Sequence, residues 1–211
     1  MDPDFWKARW AEGRIGFHEG HANALFARHA DAFAGKSRIL VPLCGKSEDM
    51  AYLASRGHEV CGIELVEDAV RAFFQEHSIE PSVRKTDHAT VYEAQGITIF
   101  AGDVFSVTRE DVGAVDALYD RAALVALPAE LRKKYVAHVR SLLPQGALGM
   151  LVAFEYPQER MPGPPFSVDE KEVRSLYAGA QVELLEEAAA NEHRFAQAGL
   201  VPTERLYRIT L

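Results

Sequence analysis

The stretch that decides the fold is Arg38-Ile-Leu-Val-Pro-Leu-Cys-Gly-Lys-Ser47. Residues 39–41 form a short run of aliphatic side chains, which is typical of a buried parallel strand. Pro42 lacks the N–H that the strand ladder needs, and Gly45 allows the backbone to turn tightly. Ser47 is a favoured N-cap residue, so we expect a helix to begin directly after it.

A second predicted strand, Glu59–Ile63, ends at Glu64, twenty-one residues beyond Leu43. A strand, a glycine turn, a helix and a strand ending in an acid form a nucleoside-binding unit, in which the acid accepts hydrogen bonds from ribose hydroxyls. The alternative is a plain α/β core in which Glu64 only ends a strand. The dinucleotide fingerprint needs three glycines and only Gly45 is present, which disfavours NAD. The expected single nucleoside is S-adenosylmethionine.

Beyond this unit, strand and helix patterns continue to alternate, and the chain predicts one doubly wound α/β domain over residues 1–211. Further strands are predicted over residues 96–103, 115–119, 148–156, 182–186 and 206–211. The polar segment 81–93 reads as a surface excursion. Ser167 and Glu170 have the spacing of a capping box and predict another helix start.

The first 35 residues precede the first core strand and are predicted to form a small helical lobe over the active site. A helix that begins at Pro3 would carry Trp6 and Trp10 on one face, because residues four apart are neighbours on a helix. Trp6 is expected to be a packing residue. A second amphipathic helix is predicted over about residues 22–33. The pattern does not decide whether this lobe is a fixed cover or a lid.

Composition narrows the class of protein. The 211 residues carry a formal charge of -8 and are 48% hydrophobic, as expected for a globular protein. The negative charge disfavours nucleic acid and anionic membranes as partners, because both require clustered Lys and Arg. No signal peptide or membrane span is visible, and two cysteines make no disulfide framework, so we expect a cytoplasmic protein.

The chain resembles the thiopurine S-methyltransferase family, in its bacterial form, along its whole length. The segments that carry the resemblance are Phe5-Trp6 with Trp10, Gly16-Phe-His-Glu19, Val41-Pro-Leu-Cys-Gly-Lys-Ser47, Gly62-Ile-Glu64, Tyr119-Asp-Arg-Ala-Ala-Leu-Val125 and Gly163-Pro-Pro-Phe166. The resemblance implies a class I S-adenosylmethionine-dependent methyltransferase. Its sheet would have seven strands, the last of them antiparallel.

The resemblance also implies a set of cofactor contacts. Trp10 would line the methionine or sulfonium end of S-adenosylmethionine, Leu43 would lie in the first turn, and Glu64 would bind the ribose. Asp103 and Val104, after the third strand, would contact the adenine. One departure from the family pattern is Val66, which stands where the helix after Glu64 usually has a capping Ser or Thr.

The acceptor site implied by the resemblance involves three residues. Arg121 would lie near both the methionine carboxylate and the acceptor, Phe17 would form a wall of the acceptor pocket, and Arg194 would be a second pocket arginine. A thiolate is already a strong nucleophile, so no dedicated base is required. A nearby cation favours the thiolate by lowering the thiol pKa, and Arg121 is the first candidate for that catalytic role.

The predicted function is transfer of a methyl group from S-adenosylmethionine to the sulfur of small aromatic or heterocyclic thiols such as thiopurines. Selenium or tellurium species are also allowed as acceptors by the resemblance. Alternatives are a methyltransferase with another small acceptor, a non-catalytic nucleoside sensor on the same fold, and a nicotinamide dehydrogenase. His18 and His21 lack further ligands at metal spacing, so no metal is expected. A monomer with no protein partner is the expected state.

Overall fold

The computed structural model describes residues 3–13, 20–190 and 193–211, without the side chains of Pro3, His193 and Arg194. The described helices are α1 Pro3–Ala11, α2 Ala24–His29, α3 Glu48–Ser55, α4 Glu67–Glu76, α5 Arg109–Val112, α6 Ala129–Leu142, α7 Glu170–Leu176 and α8 His193–Gln197. The described strands are β1 Arg38–Pro42, β2 Glu59–Glu64, β3 Ser82–Lys85, β4 Thr90–Ala94, β5 Ile97–Ala101, β6 Ala117–Arg121, β7 Leu148–Glu155, β8 Gln181–Ala189 and β9 Thr203–Thr210. Short 3₁₀ helices cover Ala30–Phe33, Leu124–Ala126 and Gln158–Arg160.

All these strands belong to one sheet, in the order β3-β4-β5-β2-β1-β6-β7-β9-β8. The five central strands, β5, β2, β1, β6 and β7, are parallel to one another, and β9 is antiparallel to both β7 and β8. From β1 the chain passes to β2 and then through the outer β3–β4 hairpin back to β5 beside β2, and from β5 it crosses to β6 on the other side of β1. The strand order therefore reverses between β1 and β6, which makes the carboxyl ends of these two strands a topological switch point. Ligands bind at such a point in open α/β sheets.

The expected doubly wound sheet with an antiparallel last strand is confirmed, and the sheet has two strands more than expected. Segment 81–93 is not a surface excursion, because it forms most of the β3–β4 hairpin that extends the sheet antiparallel to β5. The side chains of β3 are all exposed. Since β3 buries no apolar face, its sequence carries no hydrophobic alternation to reveal the strand.

The turn after β1 has the predicted form. Ser47 accepts a hydrogen bond from the backbone N–H of Asp49 and caps α3. Gly45 has φ 54° and Leu43 has φ 48°, so both residues lie in the left-handed region. That conformation is natural for glycine and uncommon for leucine. It gives the Leu43 side chain a direction that it would not have if the residue continued the strand.

Two buried layers hold the sheet. One face packs on α2 and α3 with Phe26, Phe33 and Met50 in its core, and the other packs on α6 with Tyr135 and Val139. Gly62 on β2 permits close packing on the first of these faces, because a Cβ there would lie 2.9 Å from Cys44 Sγ.

Two predictions about helix starts can be compared with the structure, and one of them is correct. Helix α4 begins after Val66 without a side-chain cap, as its sequence predicts. The prediction that Ser167 caps a helix is wrong, since α7 begins at Glu170 and the Asp169 side chain accepts from the Glu172 N–H. Ser167 Oγ instead accepts from the Tyr156 N–H at 3.0 Å, which fixes the loop after β7. None of the helices in the described part of the chain is long and apolar enough to cross a membrane.

Candidate active site

A cavity lies at the carboxyl ends of β1, β2 and β6. Its described lining comprises Trp6, Trp10, Leu43, Glu64, Leu65, Ala122 and Ala126. Helix α1, the turn after β1, the end of β2 and the loop after β6 therefore meet around one space. Three of the residues predicted to contact the cofactor, Trp10, Leu43 and Glu64, are brought together here.

Glu64 is the acid of this cavity, and only 7% of its surface is exposed. Its Oε2 accepts from the Gly45 N–H at 2.8 Å, and its Oε1 accepts from the Val66 N–H at 2.8 Å. Burial raises the pKa of Glu64, while backbone hydrogen bonds from Val66, Gly45 and Leu65 act in the opposite direction. A carboxylate has about four acceptor sites, so after these three backbone donors Glu64 retains about one for a ligand hydroxyl.

The loop after β6 is held by a second buried acid, Asp120. Its Oδ1 accepts from the Leu124 N–H at 3.0 Å, and its Oδ2 accepts from the Tyr135 hydroxyl at 2.7 Å. Burial raises the pKa of Asp120 to about 6. Between these anchors Ala122 has φ 63°, a conformation that a residue with a Cβ rarely adopts. Asp120 thereby places Ala122 in the wall of the cavity.

A second cavity adjoins the first and shares Trp6, Ala122 and Ala126 with it. The other described lining residues are Arg9, Val125, Pro164 and Pro165. The loop that carries the two prolines is held by two hydrogen bonds at Pro165 and Phe166. The Tyr156 hydroxyl donates to the Pro165 carbonyl at 2.5 Å, and the Phe166 N–H donates to the Val125 carbonyl at 2.6 Å.

Asp103 and Val104 lie near the first cavity without being among its described lining residues. Glu64 pairs with Ala101 across β2 and β5, so Asp103 follows only two residues later at the same edge of the sheet. Asp103 Oδ1 accepts from the Phe105 N–H at 3.0 Å, and Val104 is buried. Their assignment to the adenine stays a prediction.

Arg121 is the last residue of β6 and is buried, with 7% of its surface exposed. It directly precedes Ala122, and it is not among the described lining residues of either cavity. Its charge lowers the pKa of Tyr119, although burial outweighs this effect and the pKa of Tyr119 is raised overall. Arg121 therefore lies close to Tyr119, on the face of the sheet covered by α2 and α3.

Two predicted acceptor residues cannot be placed. Phe17 lies outside the described residues, and Arg194 lies in α8 with a side chain that is not described. Among the described residues, no group of three or more His, Cys, Asp and Glu side chains could hold a metal ion. Cys44 and Cys61 are both buried free thiols, and burial raises the pKa of each.

The sequence reasoning missed several residues of the two cavities. Trp6 was expected only to pack, yet it lines both cavities. Arg9 shares a helix face with Trp6 and Trp10, because these positions are spaced i, i+3 and i+4, and that spacing was available in the sequence. Ala122 carries no such signal, since its unusual φ results from the Asp120 hydrogen bonds.

The described residues of the first cavity fit S-adenosylmethionine. Glu64 supplies a buried acceptor site for a ribose hydroxyl, and the turn at Leu43 and Gly45 brings backbone to the same place. Trp10 supplies an aromatic face, which attracts a cation such as a sulfonium. The remaining described lining, which includes Leu65 and Ala126, is apolar.

Comparison with known sequences identifies the family. The family model described as thiopurine S-methyltransferase matches residues 1–210. A thiopurine S-methyltransferase from Pseudomonas fluorescens is 45% identical over 215 residues, covering 99% of each chain. The Azotobacter vinelandii protein of the same name is 46% identical over 215 residues, again covering 99% of each.

Comparison with solved structures supports the fold alone, because the identities are low. A Burkholderia thailandensis 1,6-didemethyltoxoflavin-N1-methyltransferase, solved with its acceptor and S-adenosylhomocysteine, has a TM-score of 0.67 at 18% identity. The match covers 99% of this chain and 87% of that one. An S-adenosylmethionine-dependent methyltransferase from Anabaena variabilis has a TM-score of 0.70 at 12% identity, covering 100% and 95% of the two chains.

The sequence resemblance, the nucleoside-type site at the switch point and these comparisons agree. The chain belongs to the thiopurine S-methyltransferase family and is an S-adenosylmethionine-dependent methyltransferase.

Proposed function

We propose that this enzyme methylates the sulfur of small aromatic or heterocyclic thiols, thiopurines among them. The observation that carries the proposal is the pair of adjoining cavities that share Trp6, Ala122 and Ala126. One cavity holds the buried acid suited to a ribose. The other is lined mainly by aromatic, proline and aliphatic side chains, which suits a planar apolar acceptor.

Different described residues would position different parts of S-adenosylmethionine. Glu64 would hold the ribose, the turn at Leu43 would support the same ligand, and Trp10 would face the sulfonium. When bound, S-adenosylmethionine supplies a methyl group on a positively charged sulfur. The bond between that sulfur and the methyl carbon would break as a lone pair of the acceptor sulfur forms a bond to the same carbon. The shared wall of the two cavities would keep donor and acceptor in line, which is the main catalytic requirement of such a displacement.

Arg121 is the proposed catalytic residue, because a cation close to the acceptor would lower the pKa of its thiol and favour the reactive thiolate. Phe17 and Arg194 are proposed acceptor contacts, and Asp103 and Val104 are proposed adenine contacts. If Arg121 acts through the thiol pKa, an Arg121→Ala enzyme should lose more turnover with thiols of high pKa than with thiols already ionised at the assay pH. An equal loss for both kinds of thiol would remove Arg121 from this role.

The deciding experiment compares acceptors that differ in the reacting atom. Thiophenol and 6-mercaptopurine should be methylated, whereas phenol and aniline should not. Isothermal titration with S-adenosylhomocysteine should show binding, and NAD should give no thermal stabilisation. Binding of S-adenosylhomocysteine without methylation of either thiol would contradict the proposal and favour another acceptor or a sensor.

We further propose that the protein is a cytoplasmic monomer with no nucleic acid, membrane or protein partner. Its formal charge of -8 disfavours phosphate-rich surfaces, and its two buried free thiols suit a reducing compartment. Light scattering coupled to size exclusion should give a mass close to 23.4 kDa. A mass of twice that value would contradict the monomer.

A further inference from the structure

We propose that Arg132 holds together the two loops that line the second cavity and thereby positions the methyl acceptor. Arg132 is not among the described lining residues of either cavity, so it acts through the residues that it contacts. The proposal rests on the proposed thiol methylation and concerns how the thiol is held. It is separate from the role of Arg121, which concerns the charge on the reacting sulfur.

The first argument is the burial of Arg132 on helix α6. Only 3% of its surface is exposed. Arg132, Tyr135 and Val139 have the spacing i, i+3 and i+7, so Arg132 lies on the face of α6 that packs on the sheet. A buried charge is costly unless it is paired and hydrogen-bonded. The contacts that offset this cost therefore show which parts of the structure depend on Arg132.

The second argument is the contact of Arg132 with the loop after β6. Its Nε donates to the Leu127 carbonyl at 2.9 Å. Leu127 directly follows the 3₁₀ helix Leu124–Ala126, in which Val125 and Ala126 line the second cavity. The hydrogen bond thus fixes the backbone one residue from that lining, and Arg132 holds this side of the cavity in place.

The third argument is the contact of the same side chain with the loop after β7. The guanidinium carbon lies 5.7 Å from the centre of the Phe166 ring. Phe166 directly follows Pro164 and Pro165, which line the second cavity. The ring also packs on the backbone of Gly163, where a Cβ would lie 2.6 Å from Cδ1 of the ring. The segment that carries both prolines is therefore held against α6 through Phe166.

A further contact fixes the orientation of the guanidinium. Its Nη1 donates to Glu172 Oε1 at 2.7 Å, and Glu172 lies in the first turn of α7. A guanidinium is planar and has its donors in a rigid fork. It can therefore donate to the Leu127 carbonyl and the Glu172 carboxylate while it lies over the Phe166 ring. An ammonium group is a compact charge without a flat face, so lysine cannot reproduce these three contacts together.

These contacts concern the acceptor side of the site. The donor acid Glu64 is held by the backbone N–H groups of Gly45 and Val66, which belong to other parts of the chain. Methyl transfer requires the reacting atoms at a close and defined distance, and a misplacement of about 1 Å can cost on the order of a hundredfold in rate. Loosening of the two loops should therefore impair acceptor binding and turnover while donor binding is retained.

The test measures KM and kcat for 6-mercaptopurine, together with the dissociation constant of S-adenosylhomocysteine. Arg132→Lys should raise the KM for 6-mercaptopurine and lower kcat/KM roughly tenfold to a hundredfold, with the affinity for S-adenosylhomocysteine equal to that of wild type. Phe166→Leu, which removes the ring and keeps both hydrogen bonds of Arg132, should change the same quantities by a smaller factor. Arg140→Lys is the matched control, because Arg140 lies on the same helix and donates to the Ala178 carbonyl, which lines neither cavity.

A wild-type KM for 6-mercaptopurine in both Arg132→Lys and Phe166→Leu would overturn the proposal, even if kcat fell, because a smaller folded fraction lowers kcat alone. An equal loss of affinity for S-adenosylhomocysteine would also overturn it, since the effect would then not be confined to the acceptor. If Arg132→Lys fails to fold, Phe166→Leu decides by the same criteria.

Failure of this proposal can be distinguished from failure of the proposed function. If wild type binds S-adenosylhomocysteine and methylates no thiol, thiol methylation fails, and the role of Arg132 fails with it. Methylation of 6-mercaptopurine by wild type, with an unchanged KM in the variants, refutes the role of Arg132 alone.

Discussion

The carboxylate of Glu64 accepts a hydrogen bond from the backbone N–H of Gly45 at 2.8 Å, so the end of β2 is tied to the turn after β1. The acid proposed to hold the ribose therefore also fixes the turn that approaches the same ligand. The second oxygen accepts from the Val66 N–H and fixes the start of α4. One buried side chain thus organises three elements around the donor cavity.

Replacement of Glu64 by alanine should weaken the binding of S-adenosylhomocysteine by a factor of roughly 10 to 150. The variant loses a charged acceptor for hydroxyl groups, which is worth about 1.5–3 kcal/mol. Isothermal titration measures the effect. Glu59→Ala is the matched control, because Glu59 lies at the other end of the same strand, β2, and its side chain is 61% exposed. Equal affinities of Glu64→Ala and wild type would show that the ribose binds elsewhere.

Trp10→Leu should weaken the binding of S-adenosylmethionine more than that of S-adenosylhomocysteine. Only the first ligand carries a positive sulfur, and an aromatic face contributes about 0.5–2 kcal/mol toward a cation, or roughly two- to thirtyfold in affinity. The measured quantity is the ratio of the two dissociation constants. Phe5→Leu, on the exposed side of α1, should leave that ratio unchanged. A loss of the same size for both ligands would assign Trp10 to packing.

Asn23→Ala should destabilise the protein by about 2–3 kcal/mol. Asn23 caps α2 by accepting from the Phe26 N–H at 2.9 Å, and its amide donates to Glu204 at 2.8 Å. The variant loses the cap, worth about 1 kcal/mol, and removes a donor from a partly buried acid. The matched variant Asp169→Ala loses a surface cap and should cost only about 1 kcal/mol. Urea unfolding measures both, and equal losses would mean that the buried part of the Asn23 network adds no stability.

Asp120→Asn should change how stability depends on pH. The folded pKa of Asp120, about 6, lies above its ordinary value because the group is buried. The folded state therefore binds the proton more tightly than the unfolded state, and the stabilising contribution is lost as pH rises from about 4 to about 6. The lost contribution is roughly 3 kcal/mol.

Asparagine does not ionise, so the free energy of unfolding of Asp120→Asn relative to wild type should increase between pH 4 and pH 7. Urea unfolding at one-unit pH intervals checks this result. Parallel pH curves for the two proteins would show that Asp120 does not carry the raised pKa. Tyr135→Phe, which removes one hydrogen bond to the same carboxylate, provides a second variant.

Much of the fold follows from local patterns in the chain. The strand at residues 39–41, the turn with Gly45, the cap at Ser47 and the acid at Glu64 depend on neighbours within a few residues, and each is present as predicted. The hairpin of β3 and β4 could not be predicted in this way. Its first strand is exposed on both faces, so its sequence shows no burial pattern.

The sequence by itself determined the strand–turn–helix–strand unit, the acid at its end and the family resemblance. Those features depend on residue type and spacing along the chain. The tertiary structure alone decided that Arg9 and the prolines at 164 and 165 line one cavity, since residues about 155 positions apart cannot be paired by a local pattern. It also decided the backbone of Ala122, because that conformation depends on Asp120 hydrogen bonds made inside the folded core.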